Sequence, residues 1–287
     1  CSFCYMQLQK QERNERITTE IALQFVEDCA EIGVKGISLV SDGESTLSSA
    51  YIPIIRRGTQ LGISMASGTN AFIFNQEKLE EILPHLTYLR VNFSAGTRKR
   101  YAEIMGTKEE SFDRVCDNIR TMVAIKKRDK LSVTIGMQMV LMPQDADQII
   151  PFAKLGAKLR PDYAIIKHCS DDENGRLGVD YEKYTELYDH LFDAEKLSDN
   201  EYKVIIKWKK IESKGKRSYS RCYGPPFILQ ISGSGLVAPC GMLFNDRYKR
   251  DYHIGNIVTE RFRDIIKSDR YWEVINRLSS PEFDAQT

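Results

Sequence analysis

Long apolar runs are missing from this sequence, since none approaches the about 20 residues that a membrane-spanning helix needs. An excess of charge is missing too, because 41 basic and 40 acidic residues leave a net charge of +1. The first residues, Cys1–Met6, lack the basic and then apolar layout of a secretory signal. We therefore expect a cytoplasmic protein that binds neither nucleic acid nor a membrane.

A dense set of disulfides is also excluded, because seven cysteines among 287 residues are too few for a disulfide framework. In a reducing compartment, paired cysteines more often bind metal or carry out redox chemistry. The 42% of hydrophobic residues suffices for one substantial core and a small appendage. A chain that begins at Cys1 without an initiator Met, and ends at Thr287 without a clear cap, indicates a piece of a longer protein.

Helix and strand patterns alternate through the first two thirds of the chain. A helix pattern opens at Thr18 or Thr19 and closes at Gly33, and a β-branched strand follows. The strands are predicted at 34–40, 63–66, 88–93, 133–141 and 163–167. This alternation predicts right-handed crossovers and an α/β fold with a parallel sheet. About six such units fit before residue 195, fewer than the eight of a closed barrel.

The character of the chain changes after a helix predicted at 181–197. A strand at 202–208 leads to a basic connector at 211–220, which we interpret as solvated. Two short strands, 227–231 and 236–238, flank a Ser-Gly-Ser-Gly turn and predict a hairpin. Two short helices complete the chain.

A cysteine pair in the spacing CxxC, Cys1 and Cys4, precedes the first helix. Alone, this spacing is compatible with zinc, a thioredoxin-like redox pair or an iron–sulfur cluster. Phe3 stands directly before Cys4, and the next strand runs into Asp-Gly-Glu at 42–44. Together these features resemble the radical S-adenosylmethionine (radical SAM) family. In that family a CxxxCxΦC motif supplies three thiolates to a [4Fe-4S] cluster, and a Gly-Gly-Glu-like turn follows the next strand.

The resemblance covers nearly the whole chain and implies a partial (β/α)₆ TIM-like barrel of the radical SAM type. It assigns Cys1 and Cys4 as cluster ligands and places the family's first cysteine four residues before Cys1. The positions that match the family's SAM contacts are Phe3, Gly43, Glu44, Thr69, Asn70, Asn92 and Ser94. Among them, Glu44 would accept hydrogen bonds from the SAM ammonium group. Asn92 and Ser94 depart from the family, which has Ser and Asp there.

A second cysteine pair lies near the C-terminus, where Cys222 precedes the hairpin and Cys240 follows Gly235 in a GxxxxC pattern. With the segment His253–Ile257, this pair resembles SPASM and twitch domains, which implies an auxiliary [4Fe-4S] cluster. The remaining ligands would follow Thr287. We therefore divide the chain into a radical SAM core, 1–200, and an incomplete SPASM/twitch-like extension, 201–287.

The function that the resemblance implies is reductive cleavage of SAM to a 5′-deoxyadenosyl radical, which abstracts a hydrogen atom from the substrate. An electron donor such as flavodoxin or ferredoxin would reduce the cluster. A peptide or protein is the favoured substrate, and a sugar or cyclitol, or another small molecule, is the alternative. No catalytic acid or base can be assigned.

Two other interpretations of the residues stay open at this point. The cysteine pairs could be structural zinc ligands in a non-catalytic α/β protein. Alternatively, Lys167 could form a Schiff base in an aldolase-type barrel without a cluster. We expect Lys167, His168 and Cys169 to lie in a solvent-exposed loop. Cys29 and Cys116, on the apolar faces of helices, are predicted to belong to the core.

Overall fold

The computed structural model describes residues 1–4, 6, 16–40, 42–172, 174–281 and 283. In these residues the strands are β1 Gly36–Leu39, β2 Ser64–Thr69, β3 Leu86–Asn92, β4 Thr134–Leu141, β5 Tyr163–His168, β6 Lys203–Ile206, β7 Gln230–Ile231, β8 Leu236–Ala238 and β9 Gly255–Asn256. The α-helices are α1 Thr19–Glu31, α2 Tyr51–Gln60, α3 Gln76–Ile82, α4 Arg98–Met105, α5 Glu110–Arg128, α6 Ile149–Leu159, α7 Tyr188–Glu195, α8 Trp208–Glu212, α9 Lys249–Tyr252, α10 Phe262–Ile265 and α11 Asp269–Ser279.

Strands β1 to β6 form one sheet in chain order. From β3 to β6 the pairing is parallel, and one row of the register runs from Arg90 through Gly136 and Tyr163 to Lys203. Each of the strands β1 to β5 is followed by at least one helix before the next strand begins, as parallel crossovers require. The six-stranded α/β architecture confirms the predicted partial (β/α)₆ barrel.

The two faces of the sheet differ sharply in β3, β4 and β5. Side chains on one face are fully buried and apolar: Leu89, Val91, Ile135, Met137, Met139, Ala164 and Ile166. Because successive residues of a strand point to opposite faces, the other face carries Arg90, Asn92, Gln138 and Lys167. The apolar face forms the core, and the polar face remains available for binding.

Contacts divide the chain into two compact units. The first unit comprises residues 1–4 and 66–215, and the second comprises residues 5–65 and 216–287. In the described parts of both units, no helix has the combination of length and apolar character that would let it cross a membrane.

The second unit joins segments that are far apart in the sequence. The ring of Phe25 in α1 contacts the ring of Phe262 in α10, with 4.9 Å between centroids. Next to it, the carboxylate of Asp28 accepts hydrogen bonds from Arg261, at 3.1 Å from Nε and 2.5 Å from Nη2. The side chain of Asp28 is 1% exposed. The first helix is therefore fastened to the C-terminal region by an aromatic contact and a buried ion pair.

Three elements differ clearly from their predicted boundaries, and of the strand predicted at 227–231 only β7, Gln230–Ile231, is formed. The strand predicted at 202–208 is only β6, because Trp208 begins α8 instead. Its indole Nε1 donates to Glu195 Oε2 at 3.0 Å, and its ring stacks on Phe192 with centroids 4.4 Å apart. The helix predicted at 181–197 begins as a 3₁₀ turn, Glu182–Leu187, and becomes α-helical only in α7.

Candidate functional site

The first cysteine pair forms a turn in the first unit. The amide of Cys4 donates to the carbonyl of Cys1 at 3.2 Å, and the amide of Ser2 donates to the carbonyl of Ile104 at 3.0 Å. The second bond fastens the turn to the last residues of α4. Cys1 is exposed and Cys4 is half-buried, and both are free thiols. The turn thus presents two thiols on a short loop with a fixed anchor.

The turn after β2 explains why Thr69 and Asn70 occur together. The hydroxyl of Thr69 accepts from the amide of Ala71 at 2.9 Å, and the Asn70 side-chain oxygen accepts from the amide of Phe72 at 2.9 Å. Ala71 has φ of 57°, in the left-handed region that favours glycine. The side-chain amide of Asn118 donates to the carbonyl of Ala71 at 2.8 Å. The turn thus has alanine at the position where the resemblance to the Thr-Asn-Gly motif would place glycine.

Asn92 and Ser94 occupy the carboxyl end of β3. The Gln138 side-chain amide donates to Asn92 Oδ1 at 2.9 Å, and the amide of Val140 donates to the Ser94 hydroxyl at 3.1 Å. Both oxygens therefore accept from β4, which leaves the hydroxyl proton of Ser94 and the amide protons of Asn92 as the groups suited to donate. Within the first unit, the ends of parallel strands β2 and β3 lie at one edge of the sheet, where α/β proteins bind ligands.

In the second unit, Glu44 caps a 3₁₀ turn, Ser45–Leu47. Its Oε1 accepts from the hydroxyl of Thr46 at 2.7 Å and from the amide of Thr46 at 3.4 Å. Asp42, at the first position of the Gly-Gly-Glu-like turn, accepts from the amide of Gly233 at 2.8 Å. An aspartate at this position therefore has a structural role, because it bonds the turn to the hairpin that contains the GxxxxC pattern.

The second cysteine pair flanks the predicted hairpin, which the structure contains as antiparallel β7 and β8. Gly235 has φ of 88° in the connecting turn, and a Cβ there would collide with the side chain of Asn256. The amide of Asn256 in turn donates to the carbonyl of Ser234 at 3.1 Å. Cys222 and Cys240 are both half-buried free thiols.

The prediction that Lys167, His168 and Cys169, at the end of β5, lie in a solvent-exposed loop is wrong. His168 and Cys169 are 5% and 1% exposed, and Lys167 is half-buried. The Cys169 amide donates to the carbonyl of Leu141, and its thiol lies 3.8 Å from the carbonyl of Phe3, so it contacts the first cysteine turn. Burial raises the pKa of the Cys169 thiol to about 12. In the sequence, the only indication that Cys169 lies near the site was its position at the carboxyl end of a predicted strand.

Thiolates are the donors that iron–sulfur clusters take from proteins, so the chemistry of both cysteine pairs fits such a group. Each pair supplies two thiols. In the part of the chain that the structure describes, no group of three or more His, Cys, Asp or Glu side chains is arranged to hold a metal ion. The residues present therefore fit as part of a ligand set in each case.

Known proteins similar to this chain share both regions. Residues 1–155 match the model of the Radical SAM superfamily, and residues 222–285 match that of SPASM, an iron–sulfur cluster-binding domain. An AdoMet-dependent heme synthase of Methanosarcina barkeri is 22% identical over 289 residues, which covers 93% of this chain and 77% of that protein.

Two solved structures extend the likeness to the fold. Streptococcus suis SuiB bound to S-adenosylmethionine has a TM-score of 0.73 at 17% identity, over 98% of this chain and 64% of SuiB. Native anSMEcpe with bound AdoMet has a TM-score of 0.67 at 15% identity, over 98% of this chain and 80% of that chain. The chain thus spans less than two thirds of the length of SuiB.

Proposed function

Because the chain belongs to the Radical SAM superfamily, whose model matches more than half of its residues, we propose that it is a radical SAM enzyme that modifies a peptide or protein. The turn formed by Cys1 and Cys4 carries this proposal, since it presents two thiols at a defined place in the first unit. When bound, the cluster and SAM supply a 5′-deoxyadenosyl radical that abstracts a hydrogen atom from the substrate.

The residues of this chain would hold the cofactor in complementary ways. Phe3 would contact the adenine, and Asn92 and Ser94 would donate to SAM with the protons that β4 does not use. Glu44 would accept from the SAM ammonium, and Gly43 would let the backbone approach. Thr69 and Asn70 would shape the turn through their bonds to the backbone. Cys1 and Cys4 would be two of the three cluster ligands. The third, the family's cysteine four residues before Cys1, stays a prediction.

The rest of the proposal concerns the C-terminal region and the partners. Cys222 and Cys240 would bind an auxiliary cluster that accepts an electron from the substrate or positions it, in an extension that begins near residue 201. A cytoplasmic flavodoxin or ferredoxin would supply the electron. A peptide substrate is supported by the structure of SuiB with the precursor peptide SuiA, to which this fold has a TM-score of 0.69. The alternative is a small-molecule substrate, for which we predict a sugar or cyclitol. The relative named an AdoMet-dependent heme synthase supports only the general class of a small molecule.

The test is anaerobic reconstitution of the full-length gene product with iron and sulfide, followed by EPR spectroscopy of the reduced protein. We expect a [4Fe-4S] signal that shifts when SAM is added and is lost in Cys4→Ala. Cys116→Ala is the matched control, because Cys116 lies in the same unit but is 2% exposed in the core. A second signal, insensitive to SAM, should disappear in the double variant Cys222→Ala, Cys240→Ala. A colourless protein that contains zinc would refute the proposal and favour structural zinc sites.

A further inference from the structure

The polar face of the sheet in the first unit carries two cations, one on β3 and one on β5, on either side of β4. Arg90 lies on β3 two residues before Asn92, so both side chains point to the same face. Lys167 lies on β5 and pairs with Val140 of β4. Val140 is two residues after Gln138, which pairs with Asn92, so all of these side chains point to the same face. The register therefore assigns Arg90, Asn92, Gln138 and Lys167 to one surface opposite the core.

Arg90 lacks a counter-ion in the described part of the chain. Its Nε is buried and has no hydrogen-bond partner among the described residues. Beside it in the register, Gly136 has no side chain, and a Cβ there would collide with the ring of Tyr163. The Tyr163 ring therefore lies across β4 and borders the guanidinium group, whose charge acts on the tyrosine hydroxyl. A buried guanidinium nitrogen without an acceptor is costly, and an external acceptor would remove the cost.

Lys167 is in the same situation. Among the described residues it forms no ion pair, and the charged groups that act on it are the cations Lys210, Arg90 and Lys207. The nearby Cys169 thiol, whose pKa burial raises to about 12, stays neutral. Lys207 and Lys210 come from the segment that follows β6, which packs against β5. Burial first, and these cations next, lower the pKa of Lys167 to about 8. Cations gathered without an acid repel one another, and a bound anion would relieve that repulsion.

We propose that Arg90 and Lys167 bind a carboxylate group of the substrate on the polar face of the sheet, with the amide groups of Asn92 and Gln138 beside it. The planar fork of an arginine matches the two oxygens of a carboxylate, and the lysine adds a point charge. The inference rests on the proposed function, in which the substrate is a peptide, whose anionic groups are the carboxylates of Asp, Glu and the C-terminus. It adds to that function a specificity for an acidic substrate.

The test measures how fast acetic anhydride labels Lys167, read by mass spectrometry, in the reconstituted full-length protein. Only the neutral amine reacts, so at a pH about one unit below the Lys167 pKa, an anion that raises this pKa by one unit slows labelling about tenfold. The probe is glutarate, and glutaramide at matched ionic strength is its neutral control. We expect glutarate to slow the labelling of Lys167 about tenfold and to leave the exposed Lys209 unchanged.

Variants decide whether Arg90 takes part. Arg90→Gln should abolish most of the protection by glutarate, and Arg90→Lys, which keeps the charge but not the fork, should retain part of it. Arg98→Gln is the matched control, since Arg98 is a half-exposed arginine of the same unit and should leave protection intact. A circular dichroism spectrum like that of the parent shows that each variant is folded.

Three results would overturn the proposal. The first is equal labelling in glutarate and glutaramide. The second is equal protection by inorganic phosphate, which would mean a general anion site. The third is full protection by SAM alone with no addition by glutarate, which would assign the carboxylate to the cofactor. Since labelling needs no turnover, these outcomes are independent of the EPR test, and a failure of either experiment can be attributed to its own proposal.

Discussion

Two adjacent carboxylates of α1, Glu27 and Asp28, allow a comparison of a buried and an exposed ion pair on the same helix. Each binds an arginine: Glu27 binds Arg57 at 2.6 Å, and Asp28 binds Arg261 through two nitrogens. The side chain of Glu27 is 45% exposed, whereas that of Asp28 is 1% exposed. We predict that Asp28→Asn destabilises the protein far more than Glu27→Gln.

The expected magnitudes follow from the two environments. Removing one partner of a buried pair costs about 3–5 kcal/mol, because the remaining charge is left uncompensated. The side chain of Arg261 is 35% exposed, so water compensates part of its charge and the loss should lie near the lower value. An exposed pair contributes only about 0.2–1 kcal/mol. The two variants should therefore differ by about 2 kcal/mol in the free energy of unfolding, or about 30-fold in the unfolding constant.

Urea denaturation of the full-length protein, followed by circular dichroism, measures this difference. Unequal midpoints at equal slope would show that stability changed and that the exposed surface on unfolding did not. Arg261→Gln should also destabilise the protein, but less than Asp28→Asn, because Arg263 Nε lies 4.0 Å from Asp28 Oδ1 and remains as a second cation beside the buried carboxylate. Equal losses for Glu27→Gln and Asp28→Asn would refute the reasoning, since burial would then not decide the strength of the pair.

Two further predictions concern the end of β5 and the core. Tyr184 is fully buried, and its hydroxyl donates to the carbonyl of Leu141 and accepts from the amide of Cys169. Tyr184→Phe should therefore lower the free energy of unfolding by about 1–3 kcal/mol, as measured by urea denaturation. A loss no larger than that of Tyr219→Phe, at an exposed tyrosine, would contradict this. Burial raises the pKa of Cys29 from 9.0 to about 12, so the neutral thiol stabilises the fold below pH 9 and this contribution falls as the pH rises toward 12. Cys29→Ser should show a flatter decline in stability across that range, and an identical decline would refute the assignment.

Much of the fold was predictable because its signals are local. Short β-branched runs between amphipathic helices predicted β1 to β5 within a few residues, and Gly33 marked the end of α1. The end of β6 could not be predicted in this way. Trp208 continues an apolar strand pattern in the sequence, but its contacts with Glu195 and Phe192 draw it into α8. A contact across the chain overrides the local propensity there.

The candidate site shows the same division. Cys1, Cys4 and the turn at Thr69 and Asn70 were recognisable because their chemistry depends on close sequence spacing. The burial of Lys167, His168 and Cys169 was not recognisable from the sequence, since a segment of this composition is typical of a loop. The register of β5 with β4, and the hydroxyl of Tyr184, which accepts from the Cys169 amide, place them inside.

The sequence by itself determined the alternation of strands and helices, the two cysteine pairs and the resemblance to radical SAM enzymes, because all of these depend on residue type and short spacing. Only the tertiary structure decided which groups lack a partner. Whether Arg90 or Asp28 is paired depends on residues brought close by the fold, from β5 for Arg90 and from the residue before α10 for Asp28. No local sequence pattern reports contacts at such separations. Desolvation acts on position in the fold, so the cost of a buried charge becomes visible only when the chain is folded.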